Sequence, residues 1–128
     1  MLDLGCGVGH TLRRVAPNVR MAVGADATAG MLAGARALMA QEGITNVALV
    51  VTAAEQLPFL EAEFDGVTCR LAAHHFADVP RAFAEVARVL RPGGRFVLAD
   101  NYAPDDPALD RWINTLERLR DPSHVRER

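Results

Sequence analysis

Little in this sequence points away from an ordinary intracellular domain. It carries only two cysteines, Cys6 and Cys69, whose separation matches neither a zinc site nor a disulfide scaffold, so reduced thiols in a cytoplasmic protein are expected. No apolar run approaches the roughly 20 residues of a membrane span. No positively charged segment followed by an apolar stretch opens the chain, so an export signal is not expected either. One-sided charge is missing too, because a formal net charge of −2 leaves no electrostatic footprint for nucleic acid. Linkers, internal repeats and low-complexity tracts are absent. What remains is a single domain over residues 1–128, half of it hydrophobic, long enough to bury roughly two-thirds of its unfolded surface.

The most informative stretch is residues 1–10, MLDLGCGVGH. It reads as the tail of a buried strand, then a glycine turn, then a helix. Gly5, Gly7 and Gly9 remove side chains where the backbone turns tightly and where it could approach a ligand. The following helix would aim free N–H groups and a partial positive charge at the same spot. A nucleotide-like ligand and a bare tight turn are both compatible with this. The dinucleotide pattern would need glycine at position 10, where His10 stands. Asp3 also puts negative charge where a pyrophosphate would be repelled. An acid there suits a cationic ligand end, such as an amino group or a sulfonium. Asp26 closes the next strand, 21 positions after Gly5. From that spacing a carboxylate reaches ribose hydroxyls in doubly wound nucleotide-binding folds.

Taken in order, residues 11–15 read as a short helix stopped by Pro17 and Asn18, and residues 19–25 as an interior strand. Thr28 caps a longer helix with Met31, Leu32, Ala35, Leu38 and Met39 at helical spacing, and Gly43 stops it. Residues 46–52 form an uninterrupted apolar strand, the kind buried on both faces of a parallel sheet. A loop around Pro58 precedes a strand over 63–70, whose end carries Arg70, His74 and His75. Asp78 caps a helix with Pro80 in its first turn and Phe83, Val86, Ala87 and Leu90 on one face. Pro92, Gly93 and Gly94 end that helix and open a strand over 96–99, which runs out at Asp100 and Tyr102. In the last helix, started by Asp106 and Pro107, the stripe Leu109, Trp112, Ile113, Leu116 and Leu119 should be buried. Five strand–helix alternations imply an α/β fold, a parallel sheet with right-handed crossovers and helices on both faces. Ligands of such sheets sit at the carboxyl ends of the strands, and the polar oddities above all fall on that rim.

At this point the chain resembles the class I S-adenosylmethionine-dependent methyltransferases, whose first motif looks like residues 2–9, LDLGCGVG. The stretch Ala54-Glu55-x-Leu57-Pro58-Phe59, the pair Phe64-Asp65 and residues 85–94, EVARVLRPGG, look like the small-molecule branch, which includes enzymes methylating quinone precursors. Residues 71–76, LAAHHF, resemble one subgroup of it. The resemblance covers nearly all of the chain. It implies a Rossmann-like, doubly wound sheet of five parallel strands in the order 3-2-1-4-5, lacking the last two strands of relatives. It also implies S-adenosylmethionine as cofactor and a small-molecule methyl acceptor. By position, Gly5, Cys6 and Gly7 would flank the methionine part, and Asp3 would orient its amino group. Asp26 would accept from the ribose hydroxyls, and Ala27 and Met31 would line the adenine. The Ala54 amide and the Glu55 side chain would read the adenine edge, and the Arg70 backbone would lie near the methionine end.

The chain also departs from its relatives. Ala53 stands where many carry aspartate, leaving adenine recognition to Ala54 and Glu55. Relatives add a helical segment before the first strand and two strands after the fifth helix. The chain therefore reads as a core shortened at both ends, closing in a polar tail at Arg128. The apolar edge at residues 96–98, without lysine, would then favour a homodimer or aggregation. Methyl transfer from a sulfonium is a direct displacement, governed by alignment and exclusion of water. A base is needed only when the acceptor arrives protonated. His75 and His74 are the candidates, with a purely structural pair as the alternative. Asp100 and Tyr102 either face an acceptor, or Asp100 merely closes its strand. Two other classes stay open. One is a catalytically impaired binding or interaction domain; the other is a nicotinamide-dependent oxidoreductase, against which Asp3 and His10 argue.

Overall fold

The computed structural model describes residues 1–102 and 104–125; the end of the polar tail at Arg128 lies outside them. Strand β1 (Leu2–Leu4) leads into helix α1 (Leu12–Val15) and a 3-10 turn (Ala16–Asn18). Then come β2 (Ala22–Asp26), α2 (Ala29–Gln41), β3 (Val47–Val51) and β4 (Phe64–Arg70). A second 3-10 turn (Ala73–His75), α3 (Val79–Val89), β5 (Leu90–Ala99) and α4 (Pro107–Arg120) follow. The strands make one sheet in the order β3-β2-β1-β4-β5, parallel throughout. This is the expected α/β architecture.

Strand β1 is only three residues long, yet it holds the centre because both its edges are paired and all three side chains are buried. Leu4 lies opposite Ala25 on one side and Cys69 on the other, so β1, β2 and β4 reach the same rim. Leu2 and Leu4 pack with Phe64, Val67, Phe76 and the α3 residues Ala82, Val86 and Val89. Leu12, Ala16 and Ala22 form a smaller cluster with Ile44, Val47 and Leu49. Right-handed crossovers in this strand order set α1 and α2 on one face and α3 on the other, and the two clusters divide the same way.

Four expectations need correction. Strand β3 is not buried on both faces: it is the outer strand, paired only with β2, and Val51 is 57 % exposed. Strand β2 starts at Ala22 rather than position 19, because the Asn46 side-chain amide donates to the Ala16 and Val19 carbonyls and holds that segment in a turn. Helix α3 stops at Val89, so Leu90 and the Pro92-Gly93-Gly94 run belong to β5, where the register against β4 shifts. Its inward face is Ala82, Val86 and Val89, while Ala87 is exposed. Finally, the apolar stripe of α4 is open: Trp112 is 63 % and Leu119 79 % exposed, and the residue this helix buries is Asn114.

The 85–94 motif has a structural reading. Arg88 donates to the carbonyls of Leu57 and Phe59 and is forked onto Glu85, which accepts from the Leu57 amide. The Arg88 guanidinium holds the Glu85 carboxyl down at about 2. Helix α3 thus clamps the loop after β3 and fixes the rim position of residues 53–55.

Candidate functional site

The glycine turn is stitched to β2. The amides of Gly5 and Cys6 both donate to the Ala25 carbonyl, at 2.8 and 3.1 Å. One residue on, the Asp26 carboxylate accepts from the Gly7 amide (2.8 Å) through Oδ2 and from the Thr28 amide (2.9 Å) through Oδ1. It therefore joins the turn after β1 to the turn after β2, and each oxygen keeps a second lone pair. Thr28 stands at the N-cap of α2, as its place in the sequence implies; no side-chain cap bond forms, and its amide is fixed by Asp26.

The three glycines do different things. A Cβ on Gly5 would lie 2.3 Å from the Ala72 Cβ, and on Gly9 it would press on Ala35 and Met39 of α2. On Gly7 it would meet nothing within 4 Å. Gly7 alone is therefore open towards solvent space.

That space is a rim cavity of about 480 Å³. Gly5, Gly7, Asp26, Ala27, Met31, Ala54, Glu55 and His75 line it together, with Leu71 and Phe76. Leu71 holds a φ of +52°, a left-handed conformation that costs a non-glycine residue about 1–3 kcal/mol. Glu55 is already engaged, its Oε1 accepting from the Asp78 amide at 3.1 Å. Two lining residues, Asp121 and Ser123, were not foreseen. They come from a polar segment with no motif. The Val125 amide donates to the His74 carbonyl (3.0 Å), and His75 Nδ1 lies 3.1 Å from the Ser123 carbonyl.

Asp3, Cys6, Arg70 and His74 lie outside that lining. Cys6 is buried, and burial, aided by the charges of Asp3 and Asp26, pushes its thiol up to about 12; Cys69 behaves alike. Neither is a thiolate near neutral pH. Arg70 ends β4 opposite Ala99 with its side chain exposed. His74 is buried, its Nδ1 2.6 Å from Asp100 Oδ1. Burial alone would raise the Asp100 carboxyl, but the His74 hydrogen bond and the amides of Asn101 and Ala73 bring it below its ordinary value.

Asp3 is 2 % exposed. Thr68 Oγ1 donates to its Oδ1 at 2.7 Å, while Oδ2 has no hydrogen-bond partner. Burial raises this carboxyl from the usual 3.8 to about 6, against the Thr68 bond, the Arg70 charge and a smaller pull from the Leu12 amide. The folded chain then binds more protons than the unfolded one between about pH 4 and 6. Stability must fall as pH rises through that window, by up to about 3 kcal/mol for a shift of this size. Asp3→Asn is expected to flatten that decline, measured by urea unfolding at pH 4.5 and 7.5. An equal decline in the variant would assign it to another group.

A family model described as a methyltransferase domain matches residues 2–98. The chain is 52 % identical, over 99 % of its length and 50 % of the relative's, to the uncharacterized methyltransferase YcgJ of Bacillus subtilis. It is 38 % identical, over 81 % of its length and 43 % of the relative's, to a demethylmenaquinone methyltransferase of Symbiobacterium thermophilum. The crystal structure of YcgJ superposes with a TM-score of 0.94, covering 98 % of this chain and 54 % of that one. An S-adenosylmethionine-dependent methyltransferase from Mesorhizobium loti, 32 % identical, gives 0.72 over 80 % of this chain and 46 % of its own. The chain thus spans about half the length of the curated relatives it matches.

Proposed function

The chain belongs to the methyltransferase domain family, and from that premise we propose that its rim cavity binds S-adenosylmethionine for methyl transfer to a small-molecule acceptor. The observation that carries this reading is the Asp26 carboxylate, held at the cavity wall by two backbone amides with lone pairs to spare. Ribose hydroxyls are the natural donors to it. The residues fit the cofactor in two further ways. Gly7 leaves its backbone uncovered, and the buried Asp3 has an oxygen without a donor near the same turn, which suits an amino group reached directly or through water. Ala27 and Met31 offer apolar contact to adenine, the Ala54 amide and Glu55 its edge, and the Arg70 backbone the methionine end. Cys6 supports the turn as a small buried group.

When bound, the cofactor supplies a methyl group on a positively charged sulfur. The chain's own contribution is to hold, orient and exclude water. His75 lines the cavity and His74 stands behind it; these are the residues for moving an acceptor proton. Self-association belongs to the same proposal. Val97 and Leu98 on β5 and the open stripe of α4 favour a homodimer, and no helix among the described residues is long and apolar enough to cross a membrane.

Calorimetric titration with S-adenosylhomocysteine and with NAD tests the cofactor. We expect saturable binding of the first at concentrations where NAD gives none. Tighter binding of NAD would overturn the reading and favour an oxidoreductase.

A further inference from the structure

The Ala73–His75 turn has two sides. Ala72 and His75 face the rim cavity, whereas Ala73 and His74 face another cavity of about 480 Å³ between α3 and the end of β5. Val79, Phe83 and Leu98 give this second cavity carbon walls, and His74, Asp100 and Tyr102 give it chemistry.

The His74–Asp100 pair is built in. Asp100 Oδ2 accepts the Ala73 and His74 amides, and Oδ1 takes the Asn101 amide as well as His74 Nδ1. Four contacts therefore fix the carboxylate, and the carboxylate fixes the imidazole. With Asp100 ionised, the network assigns the proton to Nδ1 and the lone pair to Nε2. No described residue hydrogen-bonds Nε2. A histidine held this way by a half-buried acid is the arrangement of a general base. The other titratable groups around the ring are His75, 4.1 Å away between centroids, and His124 at 5.5 Å. His124 is itself bonded to Asn114, and Asp121 lies 3.8 Å from His75. At the cavity mouth, Tyr102 donates to Asp105.

We propose that this second cavity receives a small phenolic or enolic compound, whose hydroxyl proton passes to His74 Nε2, with Asp100 as the positioning residue. Chemistry sets the class. Imidazole can deprotonate a hydroxyl whose pKa lies near that of a phenol, roughly 10, but an aliphatic alcohol is too weak an acid for it. A carboxylate ligand would meet the charge of Asp100. In the step the ligand O–H bond breaks and an Nε2–H bond forms. The electron pair stays on the ligand oxygen, and the new imidazolium is neutralised by Asp100. The inference does not rest on the methyl-transfer reading: the two cavities share no lining residue and lie on opposite sides of the turn.

4-Nitrophenol, whose anion absorbs visible light, is a direct probe in the full chain. Bound to the wild type, it should ionise with a constant at least 10-fold larger than when free, and 4-nitroanisole should bind more weakly. His74→Gln should bring that constant back to the free value, and Asp100→Asn should lower it about 10-fold. Should either variant fail to fold, Leu98→Trp keeps the pair and narrows the cavity, and it should abolish probe binding. No saturable binding to the wild type, unshifted ionisation, equal binding of the anisole, or unchanged binding to Leu98→Trp would each overturn the proposal. Titration with S-adenosylhomocysteine reads the rim cavity separately. Its failure alongside a shifted probe would remove the methyl-transfer reading, whereas its success beside an unshifted probe would remove only this one.

Discussion

Replacing Asp26 with alanine is expected to weaken S-adenosylhomocysteine binding at least 10-fold, and closer to 100-fold, while the sheet stays folded. Hydrogen bonds to a charged acceptor contribute about 1.5–3 kcal/mol each, and each 1.4 kcal/mol is about tenfold in affinity. Loss of ribose contacts alone accounts for the lower figure. The carboxylate also holds the Gly7 and Thr28 amides, so its removal loosens both turns that shape the cavity. Asp26→Asn keeps one acceptor oxygen and should fall between wild type and alanine. The measurement is calorimetric titration, with circular dichroism to show that the fold persists. Unchanged affinity in a folded variant would remove the ribose assignment.

The largest effect on stability is expected at Gly5. Gly5→Ala asks a side chain to occupy a φ of +66° and to stand 2.3 Å from the Ala72 Cβ. The backbone conformation costs about 1–3 kcal/mol, and overpacking a buried site typically adds about 1–3 kcal/mol. The variant should therefore lose about 2–6 kcal/mol, a large share of the 5–15 kcal/mol of an ordinary domain. The two contributions can be separated. In the Ala72→Gly background the clash disappears and the φ cost stays, so the same substitution should cost about 1–3 kcal/mol there. Urea unfolding of the four proteins decides it. A cost that ignores residue 72 would mean that the turn moves away from Ala72 without penalty.

The rim was legible in the sequence because local chemistry marks it. Glycines at 5, 7 and 9 and the strand-ending Asp26 are each visible without knowing what lies across the fold, and all meet at one end of the sheet. The order of five strands likewise follows from alternation and a family pattern. What escaped was pairing at a distance and cover. His74 and Asp100 are 26 positions apart, and nothing local in either announces the other; Asp100 looked equally like a strand end. Residues 121–125 carry no motif, so their place at the cavity wall had no signal. Periodicity in α4 marked an apolar face correctly but does not say whether anything lies on it. The apolar composition of β3 was similarly blind to its place at the sheet edge, where one neighbour is missing.

The wall supplied by residues 121–125 has a kinetic consequence. Among the described residues, this segment meets the sheet's rim at one turn, Val125 and the His124 ring at His74, Ser123 and Asp121 at His75. The sheet beneath it is held by continuous ladders. Segments with so few anchors open at far lower free energy than the core. A molecule occupying the rim cavity can therefore leave by release of that strap while every strand stays paired. Residence time would follow the lifetime of those contacts, and the half-life of the folded sheet would not enter it.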